Sequence, residues 1–214
     1  MVQKRELQKA LPRIYLISSG YEHPENESLL LRQLGLLPCS IGCMVQIREK
    51  QLNAMQLLTL ALRARESGLS EKNLILVNER VDIALAAALD GVHLRESGCS
   101  PDVLRSVAPN MIFGCSVHSP ESLCTAEKSG ADYILFGPVF DTPSKRMYGA
   151  PQGLKKLGNI CSSTTLPVFA LGGITPENGA LCMAEGAYGI AGLSIFQNTS
   201  RLVDILEQFY CIVS

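Results

Sequence analysis

Two rhythms of apolar and polar positions take turns along this chain. Short, near-continuously apolar runs occupy residues 14–17, 44–47, 74–77, 91–94, 112–115, 133–136, 167–171 and 189–193. Runs of this kind are expected of parallel strands buried on both faces, not of half-exposed alternating strands. Between them apolar residues return every three or four positions, which predicts helices. The clearest spans 53–66, with Leu57, Leu58, Ala61, Leu62 and Arg65 at helical spacing and a stop at Gly68. Others are expected over 80–89, after Ser100-Pro101-Asp102, over 121–129 and 178–185, and over 201–213 with Leu202, Ile205, Leu206 and Phe209 on one face.

Three helix-to-strand joints share a form: Asp90-Gly91-Val92, Gly130-Ala131-Asp132-Tyr133 and Gly186-Ala187-Tyr188-Gly189. Eight strands alternating with helices predict an α/β fold, a single-domain TIM (β/α)8 barrel over 12–214 behind a lead-in at 1–11. A doubly wound open sheet is the alternative.

Composition narrows the function classes. The 214 residues are 47% hydrophobic with a formal net charge of −1, enough for a sizeable core and without the charge excess of a nucleic-acid binder. No apolar run reaches the roughly 18 residues of a membrane span, and no signal-like stretch follows Lys4 and Arg5. A cytoplasmic protein without membrane or nucleic-acid partners is expected. Its eight cysteines are scattered and include no CxxC, so buried reduced thiols are expected, not disulfides or a zinc site.

In a parallel barrel the residues just after each strand face the ligand. Here they include Gln46, Arg48, Lys50, Asn78, Glu79, His93, Ser116, His118, Thr142, Ser144 and Lys145. The set is rich in cations, amides and hydroxyls, which suits a phosphorylated anion. Gly172, Gly173, Leu193 and Ser194 follow the seventh and eighth strands, where barrels often hold phosphate on backbone N–H groups. The loop from Gly137 to Pro151 is long enough to fold over an anion. Ser119 and Pro120 start a helix directly after His118, so that imidazole either works at the strand end or simply packs against the loop. His93, just inside a strand end, reads as structural, and His23 as a surface residue.

Taken together, Val45-Gln46-Ile47-Arg48-Glu49-Lys50, Asn78-Glu79-Arg80-Val81-Asp82, Gly91-Val92-His93-Leu94, Gly130-Ala131-Asp132-Tyr133, the 137–145 segment and Gly172-Gly173-Ile174 resemble the thiamine phosphate synthase/TenI superfamily from about residue 14 to residue 196. The resemblance implies a TIM barrel, thiazole phosphate as the small-molecule partner and a possible homodimer. Two activities compete within it. The thiazole tautomerase branch moves a proton in a dihydrothiazole carboxylate phosphate without metal or other cofactor, using a histidine that matches His118. Gln46, Arg48, Lys50, Asn78, Ser116, Thr142, Ser144 and Lys145 would line its substrate, and Gly172, Gly173, Leu193 and Ser194 its phosphate. The synthase branch joins a pyrimidine pyrophosphate to thiazole phosphate with Mg²⁺ held by two aspartates. At those positions this chain has Glu79 and the segment His93-Leu94-Arg95-Glu96, with a cation added and no aspartate. On that departure the tautomerase is the expected activity and the synthase the alternative. A non-catalytic paralogue that binds thiazole or thiamine phosphate is a further alternative.

Overall fold

Successive residues of each strand face opposite ways, and the two sets bury themselves in different places. The computed structural model describes residues 10–23, 25–142 and 150–214. Its strands are β1 (Ile14–Ile17), β2 (Cys43–Ile47), β3 (Leu74–Asn78), β4 (Gly91–Leu94), β5 (Ile112–Val117), β6 (Tyr133–Phe136), β7 (Val168–Leu171) and β8 (Gly189–Gly192). All pair in parallel in chain order, and β8 returns to β1, so the sheet is a closed barrel and not an open one. Among the described residues eight helices alternate with them: α1 (Leu29–Gly35), α2 (Ala54–Arg65), α3 (Val81–Ala86), α4 (Pro101–Arg105), α5 (Pro120–Lys128), α6 (Gly153–Ser162), α7 (Pro176–Ala184) and α8 (Leu202–Val213). A short 3₁₀ turn, Ser194–Phe196, follows β8.

Tyr15, Met44, Leu76, Tyr133, Leu135, Phe169 and Ala191 fill the barrel interior as one cluster. Their neighbours Leu16, Val45, Ile75, Val77, Ile134 and Ile190 point outward and pack under the helices with Leu30, Leu57, Leu157 and Phe209. Each such side chain contributes about 1.5–3 kcal/mol of burial, so the sheet is held from both sides.

The buried face of α2 departs from the predicted spacing: Leu57, Leu60, Ala61 and Ala64 are buried, while Leu62 is 40% exposed. Both choices have helical periodicity, and only the barrel decides between them. Two helices escaped the pattern. α1 is seven residues long and begins Leu29-Leu30-Leu31, too short and too uniform to show a period. α6 starts at Gly153 with φ 80 and no side-chain cap, so it lacks a start signal. The thiols also correct an expectation: Cys43, Cys115 and Cys182 are buried, but Cys39, Cys99, Cys124 and Cys211 are exposed. Among the described residues no helix is long and apolar enough to cross a membrane.

Candidate active site at the C-terminal mouth of the barrel

A run of side-chain hydrogen bonds lines the inward face of β1 to β6. Ser116 Oγ lies 2.9 Å from His93 Nε2, and His93 Nδ1 lies 3.1 Å from the Tyr133 hydroxyl. The Tyr133 and Tyr15 hydroxyls are 2.8 Å apart, and Tyr15 donates to Gln46 Oε1 at 3.0 Å. Gln46 Nε2 then donates to Asn78 Oδ1 at 3.0 Å, and Asn78 Nδ2 to Glu79 Oε2 at 3.3 Å. Gly114 makes this possible. A Cβ there would lie 1.9 Å from Cζ of Tyr133, so only glycine lets the Tyr133 ring reach across the barrel to both Tyr15 and His93.

The acceptor-only carboxylate of Glu79 sets the sense of the whole run. Asn78 must give Glu79 its N–H, Gln46 must give Asn78 its N–H, and Tyr15 must give Gln46 its proton. Tyr133 therefore donates to Tyr15, His93 Nδ1–H donates to Tyr133, and Nε2 of His93 accepts from Ser116. Burial keeps both phenols protonated by pushing Tyr15 and Tyr133 above the usual tyrosine range. Burial first, then the Arg48 charge, lowers His93 to about 3, so its imidazole is neutral. Ser116, one pleat beyond Gly114 towards the mouth, thus offers lone pairs to a ligand and not its proton.

Cations gather above this layer. Arg48 and Lys50 follow β2, Glu79 follows β3, and Arg95 follows β4. Arg95 Nε is 2.6 Å from Glu79 Oε2. Lys50 is held below the usual lysine range, first by the Arg48 charge, then by partial burial and by Arg95, with Glu79 opposing. Glu79 itself adopts φ 59, uncommon without glycine, and its N–H donates to His93 O at 2.9 Å. Glu49, between the two cations, turns away. It accepts from Gly20 N and Glu22 N at 3.0 Å and from the Ser18 hydroxyl, tying the loop after β1 to β2.

His118 lies one residue beyond β5, with its side chain 43% exposed, and its Nδ1 is 2.5 Å from Glu96 Oε2. The imidazole is thus placed outside the buried run, on the rim, with a carboxylate partner. Ser119 caps α5 by accepting from Ser122 N, as expected, and so fixes the turn that carries His118. His23 is exposed.

Across the ring, Gly172 (φ 102) and Gly173 (φ 63) leave β7 in left-handed conformations. A Cβ on Gly173 would sit 2.5 Å from Asp141 O, and one on Gly172 would sit 2.5 Å from Pro138 Cβ. Asn178 Nδ2 holds Gly173 O at 3.0 Å and closes the turn into α7. Leu193 and the exposed Ser194 stand at the start of the 3₁₀ turn. Thr142 is half-buried at the edge of the β6 loop, and Ser144 and Lys145 fall outside the described residues. The inward parity of Gln46, Asn78 and Ser116 was readable from the strands. Sequence reasoning misses Tyr15 and Tyr133, because tyrosine in an apolar run reads as core; Glu96 stands there beside the altered metal position and not as the partner of His118.

The carboxylates at the positions of the metal-binding branch do not fit Mg²⁺. Arg95 occupies Glu79, and His118 occupies Glu96. Among the described residues no group of three or more His, Cys, Asp or Glu side chains could hold a metal ion. Magnesium demands near-octahedral oxygen ligation at about 2.0–2.1 Å, and a guanidinium against the one inward carboxylate opposes it.

Known proteins match this arrangement along its length. A family model described as thiamine monophosphate synthase covers residues 14–196. A protein of Aquifex aeolicus named "Putative thiamine-phosphate synthase 2" is 45% identical over 186 residues, 87% of this chain and 98% of that one. The thiamine-phosphate synthase of Chlorobium limicola is 38% identical over 162 residues, 75% of this chain and 76% of its own. In three dimensions, the thiamine phosphate pyrophosphorylase of Pyrococcus furiosus superposes with a TM-score of 0.78 at 29% identity, covering 94% of this chain and 95% of that one. These names belong to the synthase, the alternative of the two enzyme activities, and not to the tautomerase expected first. Sequence, barrel and strand-end residues all place the chain in the thiamine monophosphate synthase family.

Proposed function

We propose that the chain is a thiamine-phosphate synthase, a transferase that joins a pyrimidine pyrophosphate to thiazole phosphate. The observation that carries this reading is the concentration of positive charge at adjoining strand ends, where Arg48 and Lys50 follow β2 and Arg95 follows β4. A diphosphate offsets that charge better than a single carboxylate does. In the reaction a ring nitrogen attacks the methylene carbon, a C–N bond forms, and the C–O bond breaks with its electron pair leaving on pyrophosphate. Arg48 and Lys50 stabilise the charge that develops on the departing oxygen. Gln46, Asn78 and Ser116 orient the pyrimidine, and the loops at Gly172, Gly173, Leu193 and Ser194 seat the thiazole phosphate opposite. The names of the relatives support the same activity. Incubation with both substrates and identification of the product by mass tests it, and absence of thiamine phosphate would refute it.

A second reading, the thiazole tautomerase, rests on a different observation. His118 and Glu96 form a carboxylate-oriented imidazole on the same face of the barrel, the pairing that general acid–base catalysis uses. Conversion of the dihydrothiazole carboxylate phosphate to its aromatic tautomer, followed by ultraviolet absorbance, tests that reading separately.

A further inference from the structure

The misfit between the carboxylates and a divalent ion has a positive side. Three cations, Arg48, Lys50 and Arg95, share the rim above β2 to β4 with one inward carboxylate, Glu79. The Nε of Arg95 is committed to Glu79 at 2.6 Å, yet 61% of the Arg95 side chain remains exposed. A turn closed by Gly98 N donating to Arg95 O at 2.9 Å holds the base of that side chain. Gly98 also packs against the carboxylate: a Cβ there would lie 3.3 Å from Glu79 Oε1. Glu79 in turn is anchored from below by Asn78, the last member of the buried run. A guanidinium gripped on one edge and open on the others is pre-oriented, which suits phosphate oxygens better than a freely rotating lysine does.

We infer that Arg95, held by Glu79, is a resident cation in the place of a divalent metal, and that with Arg48 and Lys50 it binds a diphosphate without metal. The inference builds on the transferase reading but concerns binding alone. Arg48 and Lys50 leave β2 and Arg95 leaves β4, on either side of Glu79 at the end of β3, so the three start from adjoining strand ends. In a site with net positive charge, a second cation added as Mg²⁺ gains little and must displace Arg95 from Glu79.

Calorimetric titration of the full chain with inorganic pyrophosphate, in EDTA and again in excess Mg²⁺, tests this. Binding is expected in EDTA, with Mg²⁺ tightening it by no more than about threefold. Arg95→Gln should weaken binding in EDTA about tenfold or more, as loss of a charge-assisted contact does. Arg95→Lys should recover part of the loss, and Glu79→Gln, which unpins Arg95 but removes a negative charge, should still bind without metal. Thermal unfolding of each variant checks that the fold is intact. Binding that requires Mg²⁺, binding that Arg95→Gln leaves unchanged, or no pyrophosphate binding in either buffer overturns the inference. If pyrophosphate binds without metal while the two substrates yield no thiamine phosphate, the inference stands and the transferase reading falls.

Discussion

Nε2 of His93 lies 2.9 Å from Oγ of Ser116, and the proton between them belongs to the serine. That assignment follows from the far end of the run, where the Glu79 carboxylate accepts only. A histidine in this position is a positioning residue. It holds Ser116 in one rotamer and keeps it an acceptor.

The neutral state of His93 has a thermodynamic consequence. Its folded pKa is about 3, against about 6.5 in an unfolded chain. Its contribution to stability is therefore complete above pH 6.5 and declines as pH falls towards 3, because the unfolded chain takes up the proton first. His93→Gln should flatten the loss of stability between those limits. The urea midpoint at pH 7.5 and at pH 4.5, in both proteins, measures this. An equal drop in both would show that His93 is not the group responsible.

Gly114→Ala places a methyl group inside the Tyr133 ring position. The ring must withdraw, which breaks its contacts with Tyr15 and His93 together. Overpacking of this kind costs about 1–3 kcal/mol, or a fall of about 2–12 °C in melting temperature for a chain of this size. An unchanged melting temperature would mean that the barrel interior has room that the geometry denies.

At Gly173 the obstacle is backbone conformation as well as space. Gly173→Val must hold φ 63 with a β-branched side chain and meet Asp141 O. The β7 turn should be displaced and phosphate binding lost, while far-ultraviolet dichroism stays that of a folded barrel. Retained affinity for thiazole phosphate would remove this turn from the site.

The barrel was legible in the chain because eight apolar runs and their joints repeat, and repetition does not depend on tertiary detail. The joints also explain themselves in space. Asp90 accepts from Ile75 N at 2.7 Å, and Asp132 accepts from Phe113 N at 2.8 Å, each beside an arginine, Arg65 and Arg105. Both thus lock the start of one strand to the joint before the next. What could not be read was the sense of the polar interior. Tyr15 and Tyr133 sit in the apolar runs Ile14-Tyr15-Leu16-Ile17 and Tyr133-Ile134-Leu135-Phe136, where a tyrosine cannot be told from core, and their pairing spans 118 positions. The Arg95–Glu79 contact was equally hidden, since sequence shows a lost aspartate and an added cation but not that the cation fills the gap.

Asp132→Ala should be among the more damaging substitutions in the structural shell. The carboxylate is buried, and its removal strands the Phe113 N–H and leaves Arg105 its bonds to Met111 O and Gly130 O. Leaving a buried donor unsatisfied costs about 1–3 kcal/mol. Arg105→Met, which leaves Asp132 its backbone donor and lets the side chain pack on Phe113, should cost less. Denaturant titrations that rank the two variants in the opposite order would contradict this account of the joint.

The pair on the rim decides between the two enzyme readings. His118 and Glu96 are 43% and 41% exposed, so neither substitution should disturb the fold by more than about 0.5 kcal/mol. If His118 carries the proton of a tautomerisation, His118→Asn should lower turnover by about 10²–10⁴-fold with substrate affinity kept. Glu96→Gln should lower it less, since it only orients the ring. The double variant should then be no slower than His118→Asn alone, because groups acting as one unit lose their function together. Under the transferase reading the same variants should leave formation of thiamine phosphate within a few-fold of the parent, as neither group stands with the cations above β2. Both reactions are therefore to be measured on the same four proteins. A full tautomerisation rate in His118→Asn would leave the pair as a surface contact and remove the ground for the tautomerase. A collapse of condensation alone would instead carry His118 into the transferase site.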